Sequence, residues 1–146
     1  MQRLTQISSA FFFTLLSAAI GFTGDFDGSR LLACVAEKGI EYRRMGSPKD
    51  FDPESVGLPN KFILDFKNRK IVPTQDSLIR RTTTIKQSQV IENKLILQGV
   101  DEGVEGVQDG IGWSMAISQD TGKFVISASG TSVGYVVFGD CDCKER

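Results

Sequence analysis

From Arg30 onward the chain never sustains a helical period; its apolar side chains recur instead in short runs of period two, broken by turn residues. Trp113, Met115 and Ile117 share one face of such a run, and Phe124, Ile126 and Ala128 share a face of the next. Between them Gln119-Asp120-Thr121-Gly122 reads as a hairpin turn, with glycine where a positive φ is needed. Phe62, Leu64 and Phe66 alternate in the same way, and Lys67-Asn68-Arg69-Lys70 turns the chain into Ile71-Val72, where Pro73 ends the pairing or places it on an edge. A polar, threonine-rich strand is expected from about Arg80 to Ile91, returning through Glu92-Asn93-Lys94 into Leu95 to Gln98. The first strand spans Arg30 to Glu37 with both faces apolar, as a central or closing strand requires, and the last runs from Val133 to Phe138. Gly39 to Asn60, with Pro48, Pro53 and Pro59, reads as a long loop with one helical turn after Asp52-Pro53. The fold class that follows is all-β: an antiparallel meander of about seven to eight strands, closed as a small barrel or sandwich.

The segment before that domain has a different character. Arg3 is the single charged side chain ahead of Asp25, and Ala10 to Ile20 is apolar, with Phe11-Phe12-Phe13 and Leu15-Leu16 inside it. A short basic start followed by an apolar run of about 7–15 residues is the layout of a secretory signal peptide. The expected organisation is a signal-like helix over residues 1–21, with cleavage after Gly21 or alternatively after Gly24, and one domain over residues 22–146. The alternatives are an uncleaved N-terminal membrane anchor and a buried helix. An anchor needs about 20 predominantly apolar residues, a length reached here only by including Thr5, Gln6, Ser8, Ser9, Thr14 and Ser17.

Cysteine usage agrees with export. Cys34 lies early in the domain, and Cys141 and Cys143 lie at its end, with no Cys-x-x-Cys spacing. In an oxidising compartment a bridge from Cys34 to the C-terminal pair is the economical pairing. Closing a loop of about 100 residues is worth up to ~4.7 kcal/mol in the chain-entropy model. Cys141 is favoured as the partner because it ends the apolar run from Tyr135 to Phe138. Cys143, inside the charged tail, is then left over for an intermolecular bridge and a covalent dimer.

A Cys-bearing first strand, Phe62 to Phe66, Trp113 to Ile117, the Thr121-Gly122 hairpin and a terminal Tyr-Val-Val-Phe-Gly-Asp-Cys run from Tyr135 to Cys141 together resemble small exported all-β proteins of bacteria. The resemblance covers Leu31 to Cys141 and implies export, to the periplasm or the cell exterior, and an all-β fold. Such proteins mostly lack an assigned function, and no residue role follows from the likeness.

The chain holds no histidine, which removes Ser-His-Asp and Cys-His nucleophile pairs, His-ligated zinc and haem, and histidine proton shuttles. No Gly-x-Ser-x-Gly elbow occurs either, and no cofactor is implied. With a net charge of −1 the chain lacks the basic excess of a nucleic-acid-binding protein. The charge is unevenly spread. Lys61 to Lys94 carries eight Lys and Arg against three Asp and Glu, and Leu95 to Arg146 carries three against eight. Arg80, Arg81 and Lys86 are therefore candidate contacts for an anionic partner, against the plainer reading that neighbouring strands pair these charges. Asp101, Glu102, Glu105 and Asp109 form a glycine-rich acidic loop, a candidate weak Ca²⁺ site whose spacing matches no EF-hand. Trp113 is a core residue by its spacing and a ligand-pocket floor if the barrel is hollow. The function expected is a non-enzymatic binding or accessory module of the cell envelope with an unknown macromolecular partner. The alternative is a lipocalin-like carrier of a small apolar ligand. Less favoured is a hydrolase built on a carboxylate pair.

Overall fold

The structure is a computed structural model and describes residues 25–102 and 110–144. Residues 1–24, which include the expected signal-like helix over 1–21, residues 103–109, which include Glu105 and Asp109 of the acidic loop, and residues 145–146 lie outside the described residues. Among the described residues nine strands form one antiparallel sheet: β1 (Leu32–Arg43), β2 (Lys49–Phe51), β3 (Lys61–Asp65), β4 (Lys70–Pro73), β5 (Thr83–Ile91), β6 (Lys94–Asp101), β7 (Ile111–Ser118), β8 (Lys123–Ser129) and β9 (Val133–Cys143). All but β2 follow one another around a barrel, and β9 returns to β1 to close it. β2 sits outside, paired only with the C-terminal part of β1. The expected all-β closed meander is the fold observed, with eight strands in the barrel.

Closure rests on the longest ladder. β1 and β9 pair from Leu32 opposite Cys143 to Arg43 opposite Val133. Within it Cys34 faces Cys141 directly, and the two form a disulfide (S–S 2.06 Å) across 107 residues of sequence. The Asp140-Cys141-Asp142-Cys143 tail continues the alternation, with Cys141 buried and Asp140 and Asp142 exposed. β9 therefore runs five residues past Phe138, where the sequence reading ended it. β1 likewise runs on to Arg43 through Glu37-Lys38-Gly39. A bulge between Ala36 and Lys38 absorbs that polar break.

Inward-facing side chains fill the end of the barrel that holds the disulfide. Leu32, Leu64, Leu97, Met115 and Ile117 have no exposed surface, and Phe62, Ile85, Leu95 and Phe124 are 2% exposed. Burying each contributes roughly 1.5–3 kcal/mol. Phe26, from the segment leading into β1, and Phe66, from the β3–β4 turn, pack against this cluster.

Three cross-strand pairs set a glycine opposite an aromatic residue. Phe124 faces Gly139, Trp113 faces Gly99 and Phe51 faces Gly39 in direct register. In each case a Cβ on the glycine would fall within 2.6 Å of the ring. The ring occupies the space that a side chain would take, so the glycine is required by close approach.

The wall is uneven. β1 pairs with β3 only from Leu32 to Val35, and beyond that β2 takes β3's place beside it. The gap is spanned by the 3₁₀ turn Pro53–Val56, capped by the Asp52 carboxylate accepting from the Glu54 N–H (3.0 Å) and ended by Gly57 at φ 81°. The helical turn expected after Asp52-Pro53 is therefore present. β4 and β5 meet in only two register pairs, Lys70 with Thr84 and Ile71 with Thr83.

Candidate functional site

Above the packed half the barrel is hollow. A cavity of about 300 Å³ opens there. An eight-stranded barrel has an interior just wide enough to be filled by side chains or to hold one small ligand, and the difference lies in residue size. Ala36 on β1 and Ala128 on β8 face inward where larger residues would fill the space. Ile71, Trp113, Ile126 and Val137 supply apolar walls from β4, β7, β8 and β9, and Phe62 forms part of the floor. Val56, Gly57 and Leu58, around the end of the 3₁₀ turn, close one side.

Trp113 stands in this wall because Gly99 gives its ring a seat on β6. Its indole Nε1 is buried and has no hydrogen-bond partner among the described residues. A buried donor left unpaired costs about 1–3 kcal/mol, so native structures generally satisfy such groups.

Polar groups gather at the rim. Arg81, at the entry to β5, pairs with Asp101, at the end of β6, and both line the cavity. On β1 the Glu41 carboxylate accepts from the Arg43 guanidinium, which holds its pKa below the ordinary value. Glu41 lies opposite Tyr135 in the ladder, and the Tyr135 ring meets Phe51 edge-on with centroids 5.4 Å apart.

The β4–β5 connection is tied down beside this rim. Lys61 donates to Asp76 (2.6 Å), and Thr74 Oγ1 donates to the same carboxylate (2.6 Å). These two hydrogen bonds, the lysine's first, pull the Asp76 pKa down to about 2. Ser77 is buried and donates to Glu54 Oε1 (3.1 Å), which also accepts from the Leu78 N–H (3.0 Å). The loop is thereby joined to the 3₁₀ turn that walls the cavity.

The structure separates the three basic candidates. Arg80 donates to the Thr74 and Gln75 carbonyls within its own loop, Arg81 pairs with Asp101, and Lys86 is exposed farther along β5. Of the acidic candidates, Asp101 ends β6 and Glu102 follows it, exposed, while Glu105 and Asp109 are outside the described residues. Among the described residues no three His, Cys, Asp or Glu side chains cluster around a position for a metal ion. Cys143 is half-buried, its thiol donating to the Asp25 carbonyl (3.3 Å). No helix among the described residues is long and apolar enough to cross a membrane.

Sequence reasoning offered Trp113 as a pocket floor in a hollow barrel and singled out Asp101, but it did not find Ala36, Ala128 and Tyr135, which line the cavity with them. Two alanines in alternating strands read as filler; only strand order puts them on one hollow level. The signal available in advance was Gly99, a glycine inside a strand pattern, which marks close approach by another group.

Comparison with protein-family models, with curated proteins and with solved structures finds no match. Function is therefore argued from the site itself.

Proposed function

We propose that the protein binds a small, largely apolar molecule in the hollow half of the barrel and acts as a carrier or sequestering module. The observation that carries this reading is the cavity: about 300 Å³, walled by Trp113, Ile71, Ile126 and Val137 with Ala36 and Ala128 leaving the space. That volume is at the lower end of small-molecule sites, roughly 300–1,000 Å³, and a predominantly apolar wall with a few polar groups is their usual composition. The Arg81–Asp101 pair at the rim favours a ligand with a polar end. Of the earlier readings this favours the lipocalin-like carrier over a module that works through its outer surface, because Arg80 bonds the carbonyls of its own loop and Arg81 pairs with Asp101. The disulfide between the neighbouring strands β1 and β9 and the apolar run Ala10 to Ile20 support export to an oxidising compartment as the setting.

The experiment is native mass spectrometry of the protein purified from its own source, followed by solvent extraction. A bound small molecule that is released on unfolding, and that is displaced in the Ala128→Phe variant, supports the proposal. Apo protein that also fails to take up any apolar compound from an extract of its source overturns it.

A further inference from the structure

The lower part of β5 is an open strand edge. β4 pairs only with Thr83 and Thr84, so past Lys86 β5 has β6 on one side and no strand among the described residues on the other. Arg69 covers the start of this edge by donating to the Ile85 carbonyl (3.1 Å) and to the Lys86 carbonyl. Beyond it Gln87 to Ile91 are all exposed, with Val90 and Ile91 about half so (50% and 51%). A shallow polar groove lies here, lined by Arg69, Lys86, Gln87, Ser88 and Gln89.

The backbone pattern fixes which groups face outward. β5 and β6 are joined by the two-residue turn Glu92-Asn93, closed by Ile91 opposite Lys94. The closing pair of such a hairpin is hydrogen-bonded, and bonding alternates from there. The N–H and C=O of Ile91, Gln89 and Gln87 therefore serve β6, and those of Ser88 and Val90 point away from it. Natural sheets blunt open edges with proline, charge or a covering element. Between Gln87 and Ile91 this edge carries no charge and no proline.

We propose that this edge pairs with the same edge of a second copy, antiparallel about a two-fold axis at Gln89. Of the registers that bring outward-facing groups together, this one sets Ser88 opposite Val90 of the second copy, twice, as hydrogen-bonded pairs. It also sets Lys86 opposite Glu92 of the second copy, twice, so that opposite charges bracket an uncharged centre. A self-complementary patch is what a two-fold homodimer requires. Edge pairing gives affinity through the main chain, and the flanking charges give the register. The inference is independent of the cavity and of what the cavity binds.

The test is sedimentation velocity on the full chain from micromolar to millimolar concentration, in a Cys143→Ser background so that no thiol cross-link contributes. Val90→Pro removes one outward N–H without touching the β6 ladder and abolishes the dimer. Lys86→Glu and Glu92→Lys each place like charges opposite one another and weaken it about tenfold; the double variant restores it. The Trp113 emission spectrum confirms that every variant is folded. A chain that is monomeric throughout, a dimer insensitive to Val90→Pro, or single charge variants that the double variant fails to rescue would each overturn the proposal. A folded monomer that instead captures an added extended peptide at this edge overturns self-pairing in favour of a foreign strand.

Discussion

Gly99→Ala isolates one contact on which the cavity wall depends. A Cβ at this position would lie 2.2 Å from Trp113 Cζ2 and 2.7 Å from the Thr84 carbonyl oxygen. Both distances are far inside van der Waals contact, and the Thr84 oxygen is backbone. The ring must therefore leave its seat, or β5 and β6 must separate. Forcing one methyl group into a packed position costs typically about 1–3 kcal/mol. For a domain of this size that corresponds to a fall in Tm of several degrees, at roughly 2–8 °C per kcal/mol. Gly112→Ala is the internal control: it is the same chemical change on the neighbouring strand β7, with nothing within 4 Å of the added Cβ. The assay is thermal and urea unfolding followed by the emission of Trp113, the chain's one tryptophan. Gly99→Ala is expected to lower both Tm and the urea midpoint and to shift native emission to longer wavelength as the ring becomes wetter. Gly112→Ala is expected to leave all three unchanged within error. Equal behaviour of the two variants would refute the claim that Gly99 exists to seat the indole.

Other consequences follow from the same geometry. Replacing both Cys34 and Cys141 by alanine should lower stability by about 2–5 kcal/mol yet preserve the far-ultraviolet spectrum, because the β1–β9 ladder still closes the barrel; loss of the spectrum would show that the bridge, not the ladder, holds it shut. The Asp76 carboxylate is depressed in the folded state, so its contribution is full above the ordinary value of 3.8 and is lost as pH falls toward about 2. Following its carboxyl carbon by NMR should give that low midpoint, and Lys61→Met should move it upward; an unmoved midpoint would remove the lysine as the leading cause. Phe124→Leu should cost about 1–3 kcal/mol by emptying the space over Gly139, read from the shift in urea midpoint, and a neutral outcome would mean that the ring is not what fills it.

Much of the architecture was legible because inward and outward residues alternate cleanly where strands are regular. Trp113, Met115 and Ile117 face inward as their spacing implies, and so do Phe124, Ile126 and Ala128. Gly122 adopts φ 71° in the β7–β8 turn, as the hairpin pattern requires. Proximity of the first and last strands followed from the cysteines. What escaped was structure that depends on a neighbour. Glu37-Lys38-Gly39 looks like a strand end, but a bulge carries β1 through it, and Gly39 is there to receive Phe51. Asp140 to Cys143 looks like a charged tail, but β1 beside it makes it a strand. A pocket over Trp113 was one reading of the sequence, but the cavity's other walls were illegible for a related reason. The cavity arises from small residues on strands far apart in sequence, and no local pattern distinguishes a hollow level from a filled one.

The central claim is that the hollow half of the barrel takes an apolar ligand, and its most direct test is a titration of Trp113 fluorescence with a homologous series of straight-chain alcohols. Each methylene buried contributes about 0.8 kcal/mol, close to a fourfold gain in affinity. Affinity is expected to climb by about that factor per carbon and then level off when the chain outgrows the cavity, with Ala128→Phe moving the break to shorter chains. Quenching that never saturates, or a break unmoved by Ala128→Phe, would contradict the account.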